Sequence, residues 1–339
     1  MTEPATDGRG GFELGILALD GAMLTSIGGP LDALRVAQRL GELRDPAHPP
    51  RLSGRLIGVP GCTRVRTAVG VSVGEVGGPD PLPDVLLVPG LMHQDAGDLL
   101  RRLHDYEAEI ALLRALHLKG VRIVAACSGT VLLAASGLLD GREATTSWWL
   151  ADAFRRAFPA VRLQADRMLV EHHDLVTAGA ANAVMLLSMR VLAQATDEHL
   201  AQHTARMLMV DTGRQSQAPY VVQALVERPR DSLTERVERF LQHELHGDLS
   251  VARVAEHCGT SERSLLRHFR ATFGVSPLQH IQRLRVERAK ALLETTHLSL
   301  DEIVGRCGYA DPASFRKLFK RATALTPTDY RSRFRLRVH

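Results

Sequence analysis

The sequence predicts an α/β sandwich with a largely parallel sheet, followed by an all-α module built from two helix-turn-helix units. Three observations carry that prediction. From Phe12 to about Val210, short aliphatic or β-branched runs alternate with amphipathic stretches. From 249 to 327 one pattern, an apolar helix, a Gly turn and a basic helix, occurs twice. Charge is uneven: from Arg230 onward there are twenty Lys and Arg against thirteen Asp and Glu, while the rest holds 22 against 25. A basic C-terminal part behind a mildly acidic one fits a nucleic-acid-binding module joined to a domain with another task.

At 339 residues the chain is long enough for two domains, each with its own core. The expected division is 11–211 for the first domain, 212–230 for a linker broken by Gly213 and Pro219, and 231–335 for the second domain. In the first domain, strands are expected at 13–19, 55–59, 85–89, 121–126 and 175–178. Helices are expected at 30–41, 97–118, 130–136, 148–158 and 181–195. Alternation of this kind places binding sites at the carboxyl ends of the strands.

The stretch VRIVAACSGTVLLAASGLLDG is the most informative part of that domain. A buried strand ends at Ala126, Cys127 stands at a tight turn with Ser128 and Gly129, and an apolar helix begins at once. An elbow of this kind lifts its side chain toward a helix N-terminus, where a thiolate or a bound anion is favoured. Cys62, Cys127, Cys258 and Cys307 show no zinc-ligand spacing, so no metal or cofactor is expected and a reducing, cytoplasmic setting is the simplest account. No apolar run approaches the length of a bilayer, and residues 1–10 read as a disordered tail rather than a signal peptide.

In the first C-terminal copy Val251, Val254, Ala255 and Cys258 share a helix face, and Gly259 turns the chain. Thr260 or Ser261 can cap the second helix, whose apolar stripe is expected to be Leu265, Leu266 and Phe269. That leaves Arg263, Ser264, Arg267 and Arg270 on other faces. In the second copy Asp311 is the expected N-cap and Pro312 sits in the first turn. Phe315, Leu318 and Phe319 form its stripe, leaving Ser314, Arg316, Lys317 and Lys320 outside. Between the copies, 277–295 reads as one amphipathic helix with Leu278, Ile281, Leu284, Ala289, Leu292 and Leu293 inward, a strut of roughly 27 Å. Two basic second helices on one strut imply a reader of double-stranded DNA at a bipartite site. Arg331, Arg333, Arg335 and Arg337 form a basic end suited to solvent or to phosphate.

The last hundred or so residues resemble the AraC/XylS family of transcriptional regulators, through Ile303, Gly308, Tyr309, Ser314, Phe315, Phe319, Lys320, Pro327 and Tyr330. The resemblance puts base-reading positions on Arg263, Leu266 and Arg267, and on Ala313, Ser314, Arg316 and Lys317. Leu266 and Ala313 cannot hydrogen-bond a base edge, so they touch a thymine methyl or pack.

VLLVPG, the Cys127 elbow and LLDGREATTSWW resemble the PfpI-like branch of the class I glutamine amidotransferase-like superfamily, which implies a flavodoxin-like fold. The fusion resembles the GlxA group of regulators over nearly the whole chain. In enzymatic members the elbow Cys works with a His and an acidic residue. Here Ser147 stands at the His position and Ser26 at the acidic one, ahead of Gly29 and Pro30. Serine does not accept a proton at neutral pH, so the expectation is a regulator and not an enzyme. His93, His172 and His173 are the candidate substitutes, and a working cysteine hydrolase or amidase is the alternative they leave open. A pocket stripped of catalytic partners would be lined by Ser26, Gly28, Gly29, Gly90, Leu91, Cys127, Ser128 and Ser147. Backbone N–H groups of Gly90, Leu91 and Ser128 would then form a nest for a carboxylate or carbonyl, suiting an amino acid or a related nitrogen compound. A homodimer is expected, with a pure dimerisation scaffold as the other alternative.

Overall fold

Apolar runs build the middle of the central sheet, because helices cover both of its faces. Val85–Val88 and Leu175–Ala178 are buried at every residue. The structure, a computed structural model, describes residues 11–222, 232–245, 247, 249–309 and 311–335. The expected tail at 1–10, residues 223–230 of the expected linker, residue 231 at the expected start of the second domain and Arg337 lie outside the described residues. The chain divides into two units at Gln217 and Ala218.

The strands of the first unit are β1 (Phe12–Leu17), β2 (Leu52–Ile57), β3 (Val65–Arg66), β4 (Ser72–Val73), β5 (Val76–Gly77), β6 (Val85–Val88), β7 (Arg122–Ala126), β8 (Glu143–Ala144), β9 (Arg162–Leu163), β10 (Leu169–Glu171) and β11 (Leu175–Ala178). Seven of them form one sheet in the order β10, β11, β7, β6, β1, β2, β5. Only β10 runs antiparallel to its neighbour. The helices are α1 (Leu24–Arg44), α2 (Ala96–Arg101), α3 (Glu107–Leu118), α4 (Gly129–Ala135), α5 (Ala151–Ala157), α6 (Ala183–Ala195) and α7 (Glu198–Met207). α1, α6 and α7 pack on one another, and α3 packs on α4.

The chain leaves β1 for β2 and β5 on one side, then crosses to β6 on the other. Strand order thus reverses between β1 and β6, and in open α/β sheets the carboxyl edge at such a reversal is where ligand crevices form. The segments leaving that edge carry Ser26 after β1, Gly90 after β6 and Cys127 after β7.

Three expected elements differ. The helix expected at 97–118 is interrupted by a 3-10 turn over Arg102–Tyr106. Tyr106 is drawn inward there, donating its hydroxyl to the Asp20 carbonyl at 2.8 Å, and this anchor breaks the helical register. The stretch 148–158 is a 3-10 turn, Trp148–Leu150, followed by α5. Gly29 and Pro30 lie inside α1, which starts at Leu24, and not in a loop. The two-residue strands β3, β4, β5, β8 and β9 gave no periodic signal, since two residues make no alternation.

The second unit holds α8 (Ser232–Glu244), α9 (Val251–His257), α10 (Glu262–Phe273), α11 (Pro277–Thr295), α12 (Leu300–Arg306), α13 (Pro312–Thr323) and α14 (Pro327–Phe334). It has two separate cores. Val237, Leu241, Val254, Leu265, Phe269 and Ile281 form one, and Val286, Ile303, Phe315, Phe319 and Tyr330 belong to the other. α11 serves both: its first half closes one core and its second half the other. Its start is set by Pro277 and by a capping box between Ser276 and Gln279. Two expected inward residues point outward instead, Leu278 at 58% exposure and Leu266 at 41%. Each lies at the edge of its apolar stripe, where the 3.6-residue period alone does not settle the side.

α10 and α13 both end on a left-handed residue, Gly274 with φ of 64° and Ala324 with φ of 60°. The side chain of alanine makes that conformation cost about 1 kcal/mol more than glycine does. Ala324→Gly is therefore expected to raise the stability of the second unit by about 1 kcal/mol in urea denaturation. A loss of stability would contradict the left-handed cap.

Candidate DNA-reading surface and the Cys127 elbow

α10 and α13 are the second helices of the two repeats, and each is fixed at its start by a side-chain cap. Ser261 accepts the N–H of Ser264 at 3.2 Å. Asp311 accepts those of Ala313 and Ser314 at 3.0 and 2.9 Å. These bonds, with the Ser314 hydroxyl first, hold the Asp311 carboxyl below its ordinary pKa. Behind the caps, Leu265 and Phe269 turn α10 inward, and Phe315, Leu318 and Phe319 turn α13 inward. Arg263, Leu266, Arg267 and Arg270 are left exposed on α10, with Ser264 half-buried, and Ala313, Ser314, Arg316, Lys317 and Lys320 are exposed on α13. Among the described residues, none of these six cations forms an ion pair within the chain, whereas Arg253 is held by Glu244 and Lys290 by Glu287. Two apolar-backed helices thus present six cations that form no ion pair among the described residues.

Within the second unit, Arg285 ties the two cores together. Arg285, on α11 between the two cores, donates from Nε to the Leu245 carbonyl at 3.2 Å and from Nη2 to the Gly247 carbonyl at 2.9 Å, both just ahead of the first repeat, where Leu245 belongs to the first core. Its guanidinium carbon also stands 5.1 Å from the ring centre of Tyr309, in the turn of the second repeat. Sequence reading missed this role, because a lone Arg on an amphipathic helix looks like any solvated charge.

In the first unit, Cys127 adopts φ of 57° between β7 and α4. A left-handed non-glycine residue needs its surroundings to hold it. Here the Cys127 N–H donates to the Ala178 carbonyl at 3.0 Å, and the Cys127 carbonyl accepts from the Thr146 hydroxyl at 3.0 Å. Gly129 permits the turn, since a Cβ there would stand 2.5 Å from the Pro89 carbonyl oxygen. The Ser147 hydroxyl donates to Cys127 Sγ at 3.0 Å. A Cβ on Gly90 would stand 3.5 Å from both Cys127 Sγ and Ser26 Oγ, so those two groups flank Gly90. Ser26, Cys127, Ser128 and Ser147 are all buried, and Ser26 Oγ has no hydrogen-bond partner among the described residues.

This geometry corrects several expectations. The thiolate favoured by a helix terminus does not form: burial pushes the Cys127 thiol above its ordinary pKa, only partly offset by bonds from Ser147 and Ser128. The expected nest is incomplete, because the Leu91 N–H is taken by Ser128 Oγ at 2.7 Å. Gly29 faces α6, where a Cβ would meet Met185 Sδ at 2.7 Å, so it serves helix packing and does not line the elbow. His93 has both ring nitrogens engaged, Nδ1 with the Leu91 carbonyl at 3.1 Å and Nε2 with Trp149 Nε1 at 3.4 Å. His172 and His173 precede Leu175, which pairs with Ile123. That register puts them at the opposite end of the sheet, roughly 13 Å or more from Cys127. They line a separate groove with His117, Arg122 and Glu171.

A thiol reagent at pH 8 is expected to modify half-exposed Cys62 first and to leave Cys127, Cys258 and Cys307 unmodified until denaturant is added. Mass mapping of the labelled peptides checks this, and early labelling of Cys127 would contradict the buried neutral thiol.

Residues 254–333 match the helix-turn-helix domain family and residues 59–194 match the DJ-1/PfpI family. The HTH-type transcriptional regulator GbdR of Pseudomonas aeruginosa is 25% identical over 325 residues, spanning 94% of this chain and 83% of that one. The HTH-type transcriptional regulator GlxA of Rhizobium meliloti is 29% identical over 234 residues, spanning 68% and 71%. A crystal structure from Vibrio parahaemolyticus superposes with a TM-score of 0.50 at 20% identity, over 58% of this chain and 99% of that one, a likeness of fold. The chain thus joins a DJ-1/PfpI domain to a C-terminal AraC-type helix-turn-helix module, and over most of its length it is similar to proteins named HTH-type transcriptional regulators.

Within the DJ-1/PfpI domain, sequence reading also missed Gln217, which falls in the stretch DTGRQSQAPY expected as linker. Gln217 is buried, and its Nε2 lies within 3.2 Å of the Thr145 hydroxyl and the carbonyls of Thr146, Ala165 and Arg167. Its Oε1 accepts the Ala180 N–H at 3.0 Å. No composition or periodicity signals such a plug, because its partners come from three distant segments. No helix among the described residues is long and apolar enough to cross a membrane, and none of their His, Cys, Asp and Glu side chains gather in a group able to hold a metal ion.

Proposed function

We propose that this regulator binds a bipartite duplex site as a homodimer in the cytoplasm, with α10 and α13 of each protomer in successive major grooves, under the control of a small metabolite sensed at the Cys127 elbow. The observation that carries the reading is the pair of recognition helices bearing Arg263, Arg267 and Arg270 and Arg316, Lys317 and Lys320 exposed and without ion pairs among the described residues. Ser264 and Ser314 add hydrogen-bonding reach at the N-terminal ends of the two helices. Unlike side chains at matching positions give each helix a different half of the site to read. The elbow does no catalysis in this reading, since Ser26 and Ser147 cannot take the thiol proton and the three candidate histidines are engaged or distant. Ser26 Oγ, buried and unpartnered, is instead the group a polar ligand would satisfy, and the small amino-acid-like carboxylates and amides fit its hydrogen-bonding chemistry.

Selection from random duplexes, followed by titration of the full chain at several salt concentrations, tests the DNA reading. Affinity for the selected site is expected to fall about 10³-fold between 50 and 200 mM salt if six or more phosphates are neutralised. Failure to enrich any sequence would overturn it. For the sensor reading, a metabolite present at a hundred times its Kd should stabilise the chain by about 2.7 kcal/mol. That shift should be lost in Ser26→Val.

A further inference from the structure

We infer that Gln217 is a latch that couples the state of the Cys127 elbow to the second recognition helix through the residues that directly follow it. The inference rests on the reading that the DJ-1/PfpI domain governs DNA binding, and it names how.

At the elbow, the connections run side chain to backbone. Ser147 donates to Cys127 Sγ, and Thr146 donates to the Cys127 carbonyl. Gln217 in turn donates to the Thr146 carbonyl at 2.9 Å. A ligand or modification that recruits the Ser147 or Cys127 side chain competes with the bonds that seat the Thr145 to Ser147 segment, and that segment supplies two of the acceptors of Gln217. The fit is close: a Cβ on Gly179 would stand 2.4 Å from Gln217 Cδ. A plug seated this tightly is either in or out, and close-packed contacts of this type amplify small shifts into two-state changes.

Beyond Gln217 the chain is part of the second unit. Ala218–Tyr220 forms a 3-10 turn that packs against α13, the second recognition helix. The Tyr220 ring meets Phe334 at 5.1 Å between centroids, edge to face. Lys290, almost wholly buried on α11, donates to the Val221 carbonyl. Three residues of chain span at most about 10 Å, so the step from Gln217 to Tyr220 contains little slack. Release of the plug therefore reaches the turn that buttresses α13.

The test uses the full chain and two variants, Gln217→Ala at the elbow end and Tyr220→Ala at the recognition-helix end. Amide hydrogen exchange and affinity for the selected duplex are both read. Gln217→Ala is expected to speed exchange in 218–222 and to change duplex affinity by about tenfold, within the usual range of coupling between sites. Protection in β7 and β11 should stay at wild-type level, showing that the domain remains folded. Should Gln217→Ala fail to fold, Gly179→Ala, which wedges the plug from the opposite side, replaces it. Tyr220→Ala should shift affinity to the same extent, and the double variant should add nothing further. Additive effects, or wild-type exchange in 218–222 with Gln217 removed, overturn the latch. A wild-type chain that selects no duplex would defeat the DNA reading instead, and the exchange measurement would still decide the latch.

Discussion

The Arg267→Ala, Lys317→Ala variant is expected to hold its selected duplex no more tightly than a scrambled one. The two side chains occupy matching positions on α10 and α13, both are exposed, and the buried stripes Leu265 and Phe269 and Phe315, Leu318 and Phe319 lie on the opposite faces. Removing them therefore leaves the cores intact, and urea stability should change by less than about 0.5 kcal/mol. A good base contact contributes about 1–3 kcal/mol of discrimination, so losing one from each helix costs about 2–6 kcal/mol, or roughly 30-fold to more than 10⁴-fold in specificity. Titration against cognate and scrambled duplexes separates the roles. Equal weakening on both, with the salt slope reduced by about one per residue, would make Arg267 and Lys317 phosphate anchors rather than base readers.

Arg285→Ala is expected to damage binding without touching the DNA-facing surface. The side chain joins Leu245 and Gly247, beside the first core, to Tyr309, beside the second, and among the described residues α11 is the helix common to both cores. Its loss removes two charge-assisted hydrogen bonds and a cation–π contact, about 2–4 kcal/mol of stability in the AraC-type module. The more telling effect is on geometry. With the strut's central tie gone, α10 and α13 should tolerate a one-base-pair insertion between their half-sites that the wild-type chain rejects, while binding to either half-site alone is little changed. Arg285→Lys, which keeps the charge but not the fork of donors, should fall between. Wild-type spacing preference in Arg285→Ala would remove Arg285 from this role.

Much of the AraC-type module was legible because its signals are local. Ser261 and Asp311 as caps, Pro277 at the first turn of α11, and Gly259 and Gly308 at the turns each act within a few residues of where they stand. The same holds for β6, an unbroken apolar run, and for β11, in which Thr177 alone is polar. Legibility failed where two distant segments compete for one side chain. Tyr106 broke an otherwise continuous helical pattern because the Asp20 carbonyl, more than eighty residues away, accepts its hydroxyl. Leu266 and Leu278 looked like core residues by spacing, yet no neighbouring helix covers their edge of the stripe.

Cys127 shows where the boundary falls. The amino-acid order alone determined the strand, the tight turn and the helix that make the elbow, and the serines at 26 and 147 that take the place of an acid and a histidine. Tertiary structure decided what the elbow became. Burial outweighs the short helix behind the thiol and keeps it neutral, Ser128 consumes an N–H that a ligand would have needed, and Gln217 closes the segment beneath. The physical reason is range. Turns, caps and periodicity depend on atoms within a turn or two of chain, whereas desolvation and hydrogen-bond satisfaction depend on whatever the fold brings alongside.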